Sequence, residues 1–191
     1  LPTFIFTESQ WLTGAVSNTN STLSIMVVSS VSSSTTRTTT FGRPLSLGLE
    51  GTTDFNNIKY MNLGRSSGSN GITSTRNTAS INNNATNLDI PYLFECWFDG
   101  TNSYNTVQNG ETTTTQTYAS TGNFGIQNFT IGHNSDKTGT LGSYYGAISE
   151  IIVYNSSLNT TARQRLEGYL SWKWGIQGNL PTTHPYYNAP P

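Results

Sequence analysis

The sequence is poor in charge and has no long apolar run. Its 191 residues include 9 Lys and Arg against 10 Asp and Glu, so the formal net charge is −1 at pH 7. Nucleic-acid binding needs clustered Lys and Arg, and an electrostatic membrane anchor needs a basic segment, so we expect neither. Because no apolar run is long enough to span a bilayer, we also expect no membrane insertion.

Cysteine is almost absent. Cys96 is the only one, so no internal disulfide is possible. It lies in the apolar segment 93–98, where a free thiol behaves as a small hydrophobic side chain, and we expect it to be buried.

The length of 191 residues suits a single all-β domain, residues 1–191. The abrupt ends, Leu1-Pro2 and Pro190-Pro191, favour its excision from a longer chain.

The residues that are abundant predict an ordered β-protein. Ser, Thr and Asn make up roughly two-fifths of the chain, far above ordinary usage. Such polarity can indicate disorder, but disordered segments are poor in aromatic residues, and here 12% are aromatic. Thr is also β-branched and suits a pleated, half-buried strand. We therefore expect a β-fold with a neutral surface of hydroxyl and amide groups.

Short apolar or alternating runs, separated by Gly, Asn and Ser, predict about ten to twelve strands. Residues 65–87 are almost wholly Ser, Gly, Asn and Thr, which predicts exposed loops around one or two weak strands. Asp99-Gly100 and Asn109-Gly110 each predict a hairpin turn. The other predicted strands lie at 4–6, 23–31, 41–49, 58–63, 92–98, 104–108, 112–118, 124–131 and 148–154.

One helix is predicted at about 160–174. Asn159 can cap its start, because its side-chain oxygen can accept from an unpaired backbone N–H. Gly175 stands where a left-handed residue would end it, and a proline-rich tail, expected to be extended, follows at 180–191. An apolar stripe at helical spacing should pack on a sheet; its members are Ala162, Leu166, Tyr169, Leu170 and Trp174.

Three segments carry a resemblance to a known family. The first is the turn pair Phe98-Asp99-Gly100 and Asn109-Gly110, and the second is the strand pair 129–132 and 146–154. The third is the helix 165–175 with the tail motifs Leu180-Pro181 and His184-Pro185-Tyr186. In this order they resemble the concanavalin A-like lectin/glucanase superfamily, and within it the laminin-G-like domains of phage, large-virus and bacterial surface proteins. The helix departs from that pattern because no acidic residue opens its first turn. The resemblance implies an all-β, two-sheet antiparallel jelly-roll sandwich with one C-terminal helix.

Catalysis is not expected. Glycosidases of this superfamily place acids at alternate positions of one strand, but Trp97 stands between Glu95 and Asp99. Four residues apart on a strand, these two carboxylates would be roughly 13 Å apart, too far for either glycosidase geometry. The only histidines are His133 and His184; we expect a structural hydrogen bond for His184, while His133 is either a plain loop residue or a ligand contact.

The resemblance also raises the question of calcium, which laminin-G domains often hold at a loop rim. Asp99 and Asn102 on one loop, with Asn134 and Asp136 on another, offer oxygen ligands that could meet. Calcium prefers six to eight oxygens, and only two carboxylates are present. Calcium is therefore kept as an open alternative, with Asp99, Asn134 and Asp136 as its candidate ligands.

Carbohydrate binding is the function that the sequence favours, because sugars need flat aromatic faces beside amide and hydroxyl groups. The candidate ligand contacts are Trp11, Asn102, Tyr104, Tyr118, His133 and Tyr144. We expect a non-enzymatic fibre, spike or decoration module on a virion, extracellular or cell surface, binding a glycan or a glycosylated partner and forming a homo-oligomer. The alternative is a purely structural domain that contacts capsid or fibre subunits and binds no sugar.

Overall fold

A computed structural model shows two antiparallel sheets that face each other, with one α-helix outside them. It describes residues 2–7, 10–33, 42–53, 59–65, 72–77, 79–82, 87–100, 103–110, 114–117, 122–137 and 142–191, although the side chains of 65, 79–82, 103–107 and 114–117 are not described. The predicted all-β jelly-roll sandwich is confirmed. Within the described ranges, no helix has the length and apolar character needed to cross a membrane.

Each sheet has six strands. Sheet A is ordered β1 (Phe4–Phe6), β12 (Gly146–Tyr154), β3 (Thr22–Val31), β8 (Tyr92–Asp99), β9 (Ser103–Gln108) and β10 (Thr114–Thr117). Sheet B is ordered β2 (Leu12–Asn18), β11 (Ile126–Ile131), β4 (Leu45–Gly48), β5 (Met61–Arg65), β6 (Ile72–Arg76) and β7 (Ala79–Asn82). The strands expected around 65–87 are thus β6 and β7, whereas β2 is not predicted from the sequence.

The main core lies between the two sheets. Because side chains alternate along a strand, β3 sends Leu23, Ile25 and Val27 to this core, and β8 sends Phe94 and Cys96. Cys96 is buried, as expected, and its burial raises the pKa of the thiol because a thiolate would lose its hydration. The free thiol therefore serves as packing and stays protonated at neutral pH.

Helix α1, Thr160–Lys173, covers the other face of sheet A. Asn159 caps it as predicted, since its Oδ1 accepts from the Ala162 N–H at 2.9 Å, and Gly175 ends it at φ +69°. Leu170 packs on Met26, Val28 and Leu93, which point away from the main core. Burying a side chain of this size contributes about 1.5–3 kcal/mol, so this second cluster fixes the helix on the sheet.

The buried face of the helix differs from the predicted stripe. Tyr169, expected to pack on the sheet, is 45% exposed, whereas Glu167 is buried with Leu170 and Ser171. The cause is largely non-local, because Glu167 pairs with His184 of the tail as well as with Arg163 one turn earlier in the helix. The tail is not extended either: it turns back at His184, whose N–H donates to Pro181 O, and Trp172 Nε1 donates to Tyr186 O at 2.8 Å.

Candidate functional site

One end of the sandwich brings Trp11, His133, Asn134 and Tyr144 together. Trp11 precedes β2, His133 and Asn134 follow β11, and Tyr144 donates its N–H to Gly132 O at 2.8 Å. These elements meet because β2 and β11 are paired, with Leu12 opposite Ile131. The sequence analysis named these four residues separately, and strand pairing makes them neighbours.

Trp11 is the accessible aromatic group of this cluster. Its indole is 39% exposed, and the imidazole of His133 meets it edge-on, with ring centroids 5.3 Å apart and planes at 66°. His133 itself is 0% exposed. Its Nδ1 contacts Asn134 Oδ1, so the ring that supports Trp11 is itself held in place. The arrangement is an indole surface with a rigid support behind it.

Two sequence predictions of exposure are wrong at this end. Tyr144 is 1% exposed and donates its hydroxyl to Ser30 O at 2.9 Å, so it belongs to the core and offers no surface to a ligand. His133 is not a plain loop residue, because burial leaves it in contact with Trp11 and not with solvent. Both residues position the site's backbone and its indole.

The loop after β11 is fastened to its neighbours at several points. Gly132 adopts φ +85°, where the Phe6 ring and Gln10 O lie so close that a Cβ would clash. Gly51 N–H donates to Ser135 O at 3.1 Å, and the Lys137 ammonium pairs with the Glu50 carboxylate. The loop therefore holds Asn134 and Asp136 half-buried, directly after the His133 that contacts Trp11.

A row of small polar side chains runs across sheet B on the face opposite the main core. Strand register places its members side by side in the order Thr13, Thr130, Ser46, Asn62 and Thr75. Ser46 Oγ donates to His133 O at 3.1 Å, which joins the row to the loop behind Trp11. Thr13 is exposed and the others are buried, so solvent reaches the row at its Thr13 end, next to Trp11.

The sequence analysis missed this row. Its members come from five strands, and only the pairing register aligns them. The one sequence signal is the alternation at 45–49, which places Ser46 opposite the leucines. Arg43 was also missed; its buried side chain passes beside Gly64 on this face, 3.5 Å from where a Cβ would stand. This face therefore carries hydroxyl, amide and guanidinium groups that are buried except at Thr13.

The predicted calcium ligands do not meet. Asp99 pairs with Thr22 at the start of β3, whereas the loop that carries Asn134 and Asp136 joins Tyr144, which bonds to Ser30 near the end of β3. Eight strand residues separate these ends by roughly 25 Å. A site shared by the two loops is therefore wrong, and the described residues contain no cluster of three or more metal-binding His, Cys, Asp or Glu side chains.

Three other predicted contacts stay untested. Asn102 and Tyr118 lie outside the described residues, and Tyr104 lies in β9, where its side chain is not described. They neither support nor oppose the cluster around Trp11.

A second polar cluster is enclosed between sheet A and helix α1. Glu95 points away from the main core toward the helix, and both Glu95 and Glu167 are buried. Glu167 accepts from Arg163 Nε at 3.0 Å and from His184 Nε2 at 2.7 Å. His184 Nδ1 accepts from the Tyr186 N–H at 3.2 Å, so the imidazole is neutral with its proton on Nε2. The structural role expected of His184 is confirmed.

Glu95 is best described as a protonated carboxyl. Burial, with the neighbouring Glu167 carboxylate, raises its pKa well above the usual value. Neither carboxyl oxygen accepts a hydrogen bond from the described residues, and Arg163 Nε is 3.6 Å from the nearer one. A protonated Glu95 can instead donate to Glu167. The helix and tail cover this pair, so it does not form the open carboxylate cleft that a glycosidase needs.

Comparison with known proteins identifies the fold. No family model matches the chain, and no curated protein matches it. Among solved structures, the CBM40 of the Ruminococcus gnavus IT-sialidase bound to α2,3-sialyllactose matches 82% of this chain and 96% of that one, with 15% identity and a TM-score of 0.58.

Two further structures show the same architecture. The SAP-like pentraxin of Limulus polyphemus matches 83% of this chain and 77% of that one, with 13% identity and a TM-score of 0.61. The binding domain of botulinum neurotoxin serotype G matches 92% of this chain and 43% of that one, with 13% identity and a TM-score of 0.62. These similarities show a lectin-like jelly-roll sandwich.

Proposed function

We propose that this chain is a carbohydrate-binding module whose ligand stacks on Trp11. The observation that carries the proposal is the half-exposed indole of Trp11, supported edge-on by the buried His133 ring. The C–H groups of a sugar ring form an apolar face that packs on such an indole, while its hydroxyls need polar partners around the ring. Thr13 follows Trp11 by two residues at the start of β2, and the Asn134 side chain contacts the His133 ring that supports the indole, so both can provide them.

The surroundings of Trp11 support a neutral, hydroxylated ligand. The exposed residues of β2 are Leu12, Thr13, Ala15, Val16 and Ser17, with no charge among them. The nearby Lys137 and Glu50 neutralise each other in an ion pair. The fold supports a saccharide ligand, although not its neutrality, since a structurally similar module is bound to sialyllactose. No catalytic group is needed for this function.

Weak binding at one sugar site becomes useful when many copies act together. We therefore infer a surface module, displayed on a virion, in the extracellular space or on a cell, that attaches to glycans or glycosylated partners. The scarcity of charge and the abundance of Ser, Thr and Asn suit this setting. Calcium remains a separate proposal, which the same experiment can test by chelation.

The test is a broad glycan array screened with the multivalently displayed chain, once with calcium and once with chelator. We expect binding to a defined sugar class, reduced at least about tenfold by Trp11→Ala because stacking of one ring contributes about 1.4 kcal/mol or more. Tyr169→Ala is the matched control, since Tyr169 is equally exposed but lies on the helix. The proposal would be contradicted if the chain bound no glycan under either condition, or if Trp11→Ala bound as well as the native chain.

A structural domain that contacts neighbouring subunits is the second candidate. It is favoured by exposed apolar side chains on β1, β2 and β12. Absence of binding on the glycan array, together with stable association between chains, would support it.

A further inference from the structure

Exposed apolar side chains are concentrated on one flank of the sandwich. β1 and β2 are the first strands of sheets A and B, and the Phe6 ring packs against Gly132 beyond the end of β11, so these two edges are adjacent. Six large side chains with relative exposures between 37% and 75% lie on β1, β2 and β12. Because successive side chains of a strand alternate, they surround the sheet edges on both faces, and together they form what we call the apolar flank: Phe4, Ile5, Leu12, Val16, Val153 and Tyr154.

The same flank carries backbone that is available for strand pairing. β1 covers only Gly146–Ile148 of β12, so residues 150–154 have no strand partner on that side among the described residues. β2 likewise pairs only with β11 in the described part of the chain. Exposed edges are usually protected by Lys or Pro, and neither occurs in these strands. The flank therefore combines apolar side chains with open sheet edges.

We propose that the apolar flank is a self-association surface, on which a second copy of this chain packs across a two-fold axis. A two-fold contact places the same surface patch of both copies together, and a patch with few charges can do so without burying an unpaired charge. The only charged residue in β1, β2 and β12 is Glu150, and Lys173 and Trp174 bind it from the helix at 3.0 and 2.6 Å. These three strands therefore offer no unpaired charge to a partner that binds through electrostatic attraction.

The area also fits a dimer. An aromatic side chain carries about 150–250 Å², and aliphatic ones somewhat less, so the six residues expose on the order of 500 Å². A stable interface removes about 800 Å² from each partner, of which roughly 60% is apolar. The flank supplies that apolar share, and Thr13 and Ser17 of β2 supply polar groups at its rim.

Sedimentation equilibrium of the whole chain, between about 1 and 100 µM, tests the proposal. We expect a species of twice the 20.8 kDa chain mass. Ile5→Lys and Val153→Lys should each raise the dimer Kd at least about 100-fold, because each places two like charges in one interface. Ile90→Lys is the control; Ile90 is 41% exposed but precedes β8, away from the flank, and should leave the Kd unchanged.

Hydrogen exchange on the unmodified chain gives a second measurement that needs no variant. Dilution should expose the amides of 150–154 and of β2, and leave those of β8 protected. Three results would overturn the proposal: a monomer at every concentration, a dimer that both Lys variants leave intact, or exchange that does not depend on concentration. Melting temperatures of the Lys variants equal to that of the native chain would show that the variants fold.

Discussion

Glu95 and Glu167 share one arginine. Arg163 Nε donates to Glu167 Oε1 at 3.0 Å and lies 3.6 Å from Glu95 Oε2. Both carboxyls are almost completely buried, one on β8 and the other on α1, so the contact joins the sheet to the helix. Because burial raises the pKa of Glu95 and favours its neutral form, Glu167 is the carboxylate that pairs most closely with the Arg163 guanidinium.

The first prediction is a loss of stability as the pH rises. Burial and the Glu167 charge raise the pKa of Glu95 in the folded state. Between its unfolded pKa, about 4.3, and that raised value, the folded chain holds more protons than the unfolded chain. The free energy of unfolding therefore falls with pH across this window and is greatest below it.

Thermal melting of the native chain and of Glu95→Gln across that pH range measures the effect. Gln keeps the shape of the neutral acid and cannot ionise, so the native chain should lose melting temperature with rising pH relative to Glu95→Gln. Glu150→Gln, which removes a partly exposed carboxylate beside the same helix, should keep the native slope. Parallel curves for Glu95→Gln and the native chain would show that Glu95 is charged in the fold.

The second prediction concerns Glu167 as the centre of the cluster. Glu167→Ala removes the acceptor of both Arg163 and His184, and breaking a buried charge pair in this way costs about 3–5 kcal/mol. Urea unfolding measures the loss. Arg165→Ala, at an exposed position of the same helix, should change stability by no more than about 0.5 kcal/mol. Similar stabilities for the two variants would mean that the cluster contributes little.

The third prediction is that Gly168→Ala destabilises the chain, although helix propensity alone favours Ala at this position. Ala is favoured over Gly in a helix by about 1 kcal/mol. A Cβ on Gly168, however, would stand 2.6 Å from the Cβ of Tyr186 in the returning tail. Gly168→Ala should therefore destabilise the chain by about 1–3 kcal/mol, measured by urea unfolding. Gly178→Ala, where a Cβ meets nothing within 4 Å, should be nearly neutral; a stabilised Gly168→Ala would refute the packing of the tail.

The fourth prediction is the energy of the helix cap. Asn159→Ala removes the oxygen that accepts from the Ala162 N–H, which should cost about 1 kcal/mol in urea unfolding. Asn159→Asp keeps the acceptor and adds a negative charge at the helix start, so it should match or exceed the native stability. Equal losses for Asn159→Ala and Asn159→Asp would assign the effect to another role of the side chain.

Local sequence patterns determined most of the fold. Alternation and apolar content are properties of neighbouring residues, so β3, β8 and β12 were placed nearly to their ends, and Asn159 and Gly175 marked the helix. β2 was not predicted from the sequence because it is an edge strand whose residues are mostly exposed, so it shows no regular apolar face. Such a strand exists through its pairing with β11.

The site depended on the tertiary structure. Sequence composition named Trp11, His133 and Tyr144 as polar or aromatic loop residues, but only strand pairing decided that His133 and Tyr144 are buried supports and that Trp11 is exposed. The same pairing placed Asp99 at the opposite end of β3 from Asn134. Glu167 turned inward for a similar reason, since its partners come from the tail and the sheet. Periodicity is a local property, whereas burial and charge partners are set by residues far apart in the chain.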